Sequence, residues 1–362
     1  MTGEARGSSA AMSGGMTNVP STAAANSGTP PAAAKDAGTP PADDDGGVSP
    51  PPASDAGAAG SAPSPSDAAA ASSDPSAMCP DGFGRGTASS EARKLLALKP
   101  SPEGVTVCPN GQVFLALDDG QIVRVEPEKP SPEPWTTLTG IEPAGISCDE
   151  HNQLFVAVYA VRSGSSKPGV MRISEQGAQG TMLPAPDEAS PLAAYNGILA
   201  IAGQGVYATD SGAGWVVRTH ETAPGEYVSE IVARDIPIAN GLAYDTAQHK
   251  LYVASSLDFA VYTFDLTADG ALQNRSKVKT SSSSFFDGVA VDEHGEVYAA
   301  DYSGNQLVRL SDAKVIATLP TPASLAFRGG TLLITDYRLN QPDAEGGLYA
   351  IELGACSAQR LR

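Results

Sequence analysis

The chain is short of positive charge, of aromatic residues and of long apolar runs. Its 23 Lys and Arg face 41 Asp and Glu, a net charge of −18. A phosphate backbone is repelled by that balance, so no nucleic-acid partner is expected. No apolar run reaches the ~18 residues that would cross a bilayer, and no transmembrane span is expected. No basic stretch followed by an apolar one opens the chain as a signal peptide would. There is no G-x-S-x-G elbow, no catalytic cysteine pattern and no phosphate-binding loop, which excludes the common nucleophile-elbow, thiol and nucleotide chemistries. Four cysteines, at 79, 108, 148 and 356, have spacings that fit no zinc motif. Helical periodicity is nearly absent: only Glu91–Leu98 could pass for a helix, and its second half also reads as a strand.

Residues 1–78 contain no aromatic residue and no periodic apolar pattern. They are almost wholly Ala, Gly, Ser, Pro, Thr and Asp, with eight acidic and two basic side chains. Such a segment cannot bury enough apolar surface to offset the entropy of ordering it. The expectation is a disordered Ala/Pro/Gly/Ser-rich linker before one folded domain, 79–362. A tether of this kind suggests an exported protein, whether periplasmic, tethered to the cell surface or secreted.

What the folded part does have is one sentence written six times. Phe285–Leu310, FFDGVAVDEHGEVYAADYSGNQLVRL, reads as three short strands joined by the turns EHG and YSG. Aligning copies on the Gly of Asp287-Gly288 recovers Glu103-Gly104, Ala144-Gly145, Asn196-Gly197, Asn240-Gly241 and Ala323-Ser324, at spacings of 36 to 52 residues. A third strand follows each copy, as in QIVRV, GVMRI, WVVRT and QLVRL. Repeats of this length and strand content predict an all-β fold, a six-bladed β-propeller with one sheet per blade. Five copies continue into a fourth, outer strand. The last, ending GLYAIEL, does not, and the N-terminal KLLAL can supply it, closing the ring and removing an open edge.

The position before the Gly reads Glu103, Ala144, Asn196, Asn240, Asp287 and Ala323. It opens the innermost strand of each blade, so equivalent side chains point at one spot on the propeller axis. Two carboxylates and two amide oxygens make a hard-oxygen site suited to one divalent cation, Ca²⁺ before Zn²⁺, Mg²⁺ or Mn²⁺. The plainer alternative is that Asn and Asp before Gly are ordinary turn residues; Glu103 does not fit it.

Strand direction sorts the loops. Linkers into each blade and exit loops of the second strands return to the ring face. They offer Tyr159, Arg162, Tyr195, Trp215, Phe259, Phe286, Tyr302, Tyr337 and Arg338 as walls of a substrate pocket. Asp118, Asp210, Asp301 and Asp336 recur at second-strand ends and read as turn caps. His151, His249 and His294 fall in turns on the far face, and His220 follows a third strand, so none is a good general base. In an oxidising compartment Cys108 would pair with Cys148 and Cys79 with Cys356; otherwise they are four buried thiols.

The motifs PEGV at 102–105, YNG at 195–197, ANGLA at 239–243, FDGVAVD at 286–292, SLAF at 324–327 and GGLY at 346–349 resemble the gluconolactonase and senescence-marker-protein (regucalcin-like) family. These are six-bladed propellers related to diisopropylfluorophosphatase and paraoxonase. The resemblance spans the folded domain. It implies a catalytic divalent cation on Glu103, Asn240 and Asp287, with Asn196 as fourth ligand or positioning residue. It implies a metal-dependent hydrolase of lactones or related esters, with Asp287 and Glu103 as its catalytic carboxylates and Asp287 as nucleophile or base. Departures are Gly197 where the family often has Asp, the absence of the Arg and Asn that hold sugar lactones in some members, and the acidic tether. The alternative is a non-catalytic secreted or cell-surface propeller that binds a ligand or partner and keeps a structural metal. A monomer acting on a small molecule is expected.

Overall fold

The computed structural model describes residues 78–359 except 90, 165, 175, 176, 178, 179, 189, 281, 282, 340, 342 and 343. The expected disordered segment therefore lies outside the described residues, Met78 apart. Six four-stranded antiparallel sheets make the six blades of a β-propeller, and no helix occurs among the described residues. Blade 1 has Pro102–Val107 as its inner strand, then Val113–Leu117, Gln121–Glu126 and Lys129–Thr137. The inner strands of blades 2 to 6 are Ile141–Cys148, Tyr195–Ile201, Ala239–Asp245, Phe286–Val291 and Pro322–Arg328. The outer strand of blade 6 comes from the other end of the domain: Arg93–Leu98 pairs antiparallel with Gly346–Glu352.

The second strands explain why so few residues build so much core. VFLAL and LFVAV are apolar at every position because both faces of each blade are covered. Side chains alternate between the faces. In blade 1, Val113, Leu115 and Leu117 enter the cluster shared with blade 6, while Phe114 and Ala116 enter the one shared with blade 2. Six such clusters sit at the six blade interfaces. Each fully buried Leu or Ile in them contributes roughly 1.5–3 kcal/mol.

The two ends of the domain meet at the far mouth of the axis, away from the ring positions. Cys79 is bonded to Cys356, and Cys108 to Cys148, which joins the inner-strand ends of blades 1 and 2. Asp81 accepts from Gly329 N at 2.7 Å. Arg85 pairs with Glu293, Ala358 N donates to Val291 O at 3.0 Å, and Gln359 Nε2 donates to Ala200 O at 2.8 Å.

Candidate functional site

In all six blades the ladder between inner and second strand slips at the ring position. The irregularities fall between Pro102 and Gly104, Pro143 and Ile146, Tyr195 and Ile198, Ala239 and Leu242, Phe286 and Val289, and Pro322 and Leu325. A bulge bends the strand and re-aims the side chain beside it. The glycine that follows has a separate reason. A Cβ on Gly197 would lie 2.4 Å from Asn240 O, and one on Gly241 would lie 2.6 Å from Asp287 O. In the five blades that have the glycine, the neighbouring blade approaches too closely for a side chain; blade 6 has Ser324 at this place.

Glu103, Asn196, Asn240 and Asp287 all border one cavity of about 200 Å³ on the axis, lined by the inner strands of every blade. Below the ring its walls include Val105, Ile146, Ile198, Leu242, Val289 and Leu325; Pro80, Asp81, Ser357 and Gln359 line its far end. Glu103 and Asn240 are 8% and 4% exposed. Burial pushes the Asp287 carboxyl up to about 7. Burial, and then the charges of Asp287, Asp118 and Glu142, push Glu103 well above the ordinary carboxylate range. Both shifts come first from burial, and for Glu103 the charge of Asp287 adds to it.

The amide of Asn240 has a defined orientation. Ser256 Oγ donates to Phe286 O at 2.7 Å. Its only hydrogen is used there, so it accepts from Asn240 Nδ2 at 3.1 Å. Asn240 Oδ1 is left buried without a hydrogen-bond partner. A buried orphan acceptor beside two carboxyls that resist ionisation fits a hard divalent cation. No three His, Cys, Asp or Glu side chains form a metal cluster among the described residues; the oxygen donors here are two carboxylates and two amides.

The expected pocket walls divide. Tyr159, Tyr302 and Tyr337 lie near enough to the ring for its carboxylates to act on them. Burial and then the charge of Glu103 raise the Tyr159 and Tyr337 hydroxyls, and Tyr302 is raised by burial with Asp287 and Glu103 contributing. Arg162 pairs with Glu142 at 2.8 Å and approaches Asp118 at 3.8 Å. Arg338 pairs with Asp336 at 3.1 Å. Tyr195 and Phe286 are corrections: they are 4% and 2% exposed and pack in the clusters between blades 2 and 3 and between blades 4 and 5. Trp215 lies under Arg234, 4.8 Å from ring centroid to guanidinium. Phe259 sits in a turn at φ 52°. None of the nine lines the axial cavity.

The four recurring aspartates also divide. Asp210 and Asp301 cap turns, accepting from Gly212 and Gly304 backbone N–H groups. Asp336 instead accepts from Thr321 Oγ1, and Asp118 accepts from Tyr337 OH at 3.4 Å. His220 lies within the third strand of blade 3, which runs to Ala223. Sequence reasoning passed over Glu142, two residues before the ring position of blade 2. It also passed over Ser256 and Thr209.

Residues 194–338 match the family described as the SMP-30/Gluconolactonase/LRE-like region. Residues 95–125, which contain Glu103, match the strictosidine synthase-like N-terminal family. A 6-deoxy-6-sulfogluconolactonase from Pseudomonas putida is 30% identical over 131 residues, 33% of this chain and 45% of the relative. Among solved structures, a gluconolactonase from Xanthomonas campestris superposes with TM-score 0.58 at 19% identity, covering 72% of this chain and 89% of its own. A luciferin-regenerating enzyme gives 0.60 at 16% identity, covering 74% and 97%. A calcium-binding regucalcin from Agrobacterium tumefaciens gives 0.55 at 16% identity, covering 75% and 94%. At these identities the structures share the fold.

Proposed function

We propose that this six-bladed propeller, which carries an SMP-30/Gluconolactonase/LRE-like region over residues 194–338, hydrolyses lactones or related esters at its axial ring. The observation that carries the reading is the buried, unpartnered Asn240 Oδ1 beside the Glu103 and Asp287 carboxyls. Support also comes from the partial likeness to a sulfogluconolactonase, which spans under half of that relative.

Glu103, Asn240 and Asp287 would hold one divalent cation, Ca²⁺ first among the ions that hard oxygens accept, with Asn196 as fourth ligand or as a contact to substrate. Such an ion supplies charge at the carbonyl oxygen as the tetrahedral centre forms. The chain's own residues do the rest. Beside a bound cation the Asp287 carboxylate would stay ionised against the burial that otherwise protonates it, and Asp287 would take a proton from water or attack the acyl carbon itself. Glu103 holds the ring from blade 1, two blades from Asp287. Tyr159, Tyr302 and Tyr337 border the approach, and the paired Arg162 and Arg338 bring guanidinium groups to the same face. We further propose an exported protein, for which the two disulfide bonds are the support.

A panel of γ- and δ-lactones and aryl esters tests this on the full chain, with and without EDTA. Turnover that stops with EDTA, returns with Ca²⁺ and is absent in Asp287→Asn is expected. A fully active Asp287→Asn sinks the mechanism. A blank panel with the cation fully loaded favours a propeller that binds without catalysis.

A further inference from the structure

Two residues past its central apolar residue, the second strand of each blade carries a small side chain. In blades 1, 2, 4 and 5 that place is Ala116, Ala157, Ala254 and Ala300; in blades 3 and 6 it is Thr209 and Thr335. The two threonines are fully buried and sit in opposite blades of the ring. Their hydroxyls make equivalent bonds. Thr209 Oγ1 accepts from Gly197 N at 2.8 Å and donates to Asn240 O at 2.9 Å. Thr335 Oγ1 accepts from Ser324 N at 2.8 Å and donates to Glu103 O at 2.6 Å. Each therefore satisfies its own blade's bulge and holds the backbone of a ring residue in the next blade.

Asn240 is held twice. Thr209 fixes its backbone, and Ser256 Oγ fixes its amide by accepting from Nδ2. Ser256 cannot be served by the amide oxygen instead, because its one hydrogen goes to Phe286 O, which can only accept. Flipping the amide would set two acceptors against each other. Oδ1 is thus kept turned away from every protein donor.

We propose that Ser256 and Thr209 are positioning residues that preset Asn240 Oδ1 as a cation ligand before the ion arrives. This rests on the cation reading above. Orienting an outer partner commonly changes metal affinity 10–100-fold when removed.

The test measures Ca²⁺ affinity by calorimetry on full-length protein stripped of metal, with Zn²⁺ titrated in parallel, and follows unfolding of the same stripped samples. Ser256→Ala is expected to bind 10–100-fold more weakly, and Ser256→Thr, which keeps the hydroxyl, to recover most of the loss. Ser255→Ala is the control. Ser255 is equally buried, but its hydroxyl donates to Pro237 O at 2.7 Å and not to a ring residue. It is expected to lose stability with affinity within about threefold of wild type. Thr209→Val keeps shape, drops the hydroxyl and gives an independent route should Ser256→Ala not fold; it too is expected to bind at least 10-fold more weakly. Wild-type affinity in Ser256→Ala or, failing that variant, in Thr209→Val overturns the positioning role alone. Equal losses in Ser255→Ala and Ser256→Ala overturn it as well. A wild-type protein that binds neither cation overturns both this inference and the reading beneath it.

Discussion

Stripping the cation should make this protein less stable as pH rises, the reverse of the usual carboxylate behaviour. Asp287 titrates at about 7 in the fold against 3.8 ordinarily, because burial disfavours its charge. Below pH ~4 the group is protonated in folded and unfolded chains alike. Between ~4 and ~7 the unfolded chain releases the proton while the fold keeps it, so stability falls with rising pH. At 1.36 kcal/mol per pH unit the full difference is ~4 kcal/mol. Asp287 is half-buried and faces a cavity wide enough for water, so solvent screening lowers the expectation to about 2 kcal/mol. Glu103, raised chiefly by burial, acts in the same direction. Carboxylates held down by arginine, such as Asp312 beside Arg309 and Glu293 beside Arg85, finish titrating below pH ~5 and leave the window undisturbed. Urea unfolding in EDTA at pH 5 and pH 8 reads the effect. About 1 kcal/mol of that should be lost by wild type between them, since the window opens below pH 5, and Asp287→Asn should lose less than half as much and be the more stable of the two at pH 8. With saturating Ca²⁺ at pH 8 the order should invert, since only wild type keeps both carboxylates for the ion. Equal stability of metal-free wild type at pH 5 and pH 8 would refute the claim that Asp287 sits in a desolvated ring.

Three further outcomes are expected. Thermal unfolding of wild type should shift down on chelation and return with Ca²⁺; an unchanged melting temperature at saturating EDTA counts against a bound ion. Cys79→Ser with Cys356→Ser should cost up to about 5 kcal/mol on the chain-entropy account, because the bridge closes a long loop, and a differential scan showing no loss would mean the terminal contacts suffice without it. Gly241→Ala brings a Cβ to 2.6 Å from both Asp287 O and Gly288 Cα. Forcing blades 4 and 5 apart should cost about 2–3 kcal/mol, measured as a fall in urea midpoint.

The sequence by itself determined the blade number, the all-β class and the order of strands. Those follow from short-range properties: alternation along VFLAL or EVYAAD, turn residues between runs, and one pattern repeated six times. The same repetition picked out Glu103, Asn196, Asn240 and Asp287 as equivalent, since equivalent positions in a radial fold meet at the axis. It suggested both cysteine pairs for a similar reason, as each pair sits at matching strand ends or at the two ends of the domain.

Loop side chains were another matter. Tyr195 and Phe286 each come just before a ring residue and read as pocket walls. The bulge at that place turns the ring residue inward and sends its predecessor into the core between blades, and no sequence period encodes a bulge. Four aspartates at one repeat position looked alike, yet two cap turns while Asp118 and Asp336 hold side chains near the ring face. Glu142 lies in the inner strand of blade 2 and meets Arg162, twenty residues on, only once the second strand has paired with it. The hydroxyls of Ser256, Thr209 and Thr335 had a faint signal, a polar residue where other blades have alanine or a plain turn. Its meaning depends on which carbonyl the neighbouring blade brings within 3 Å. Local pattern decides which strands form and in what order; the partners of a buried polar atom are decided by whatever the next blade presents, and that exists only once the ring has closed.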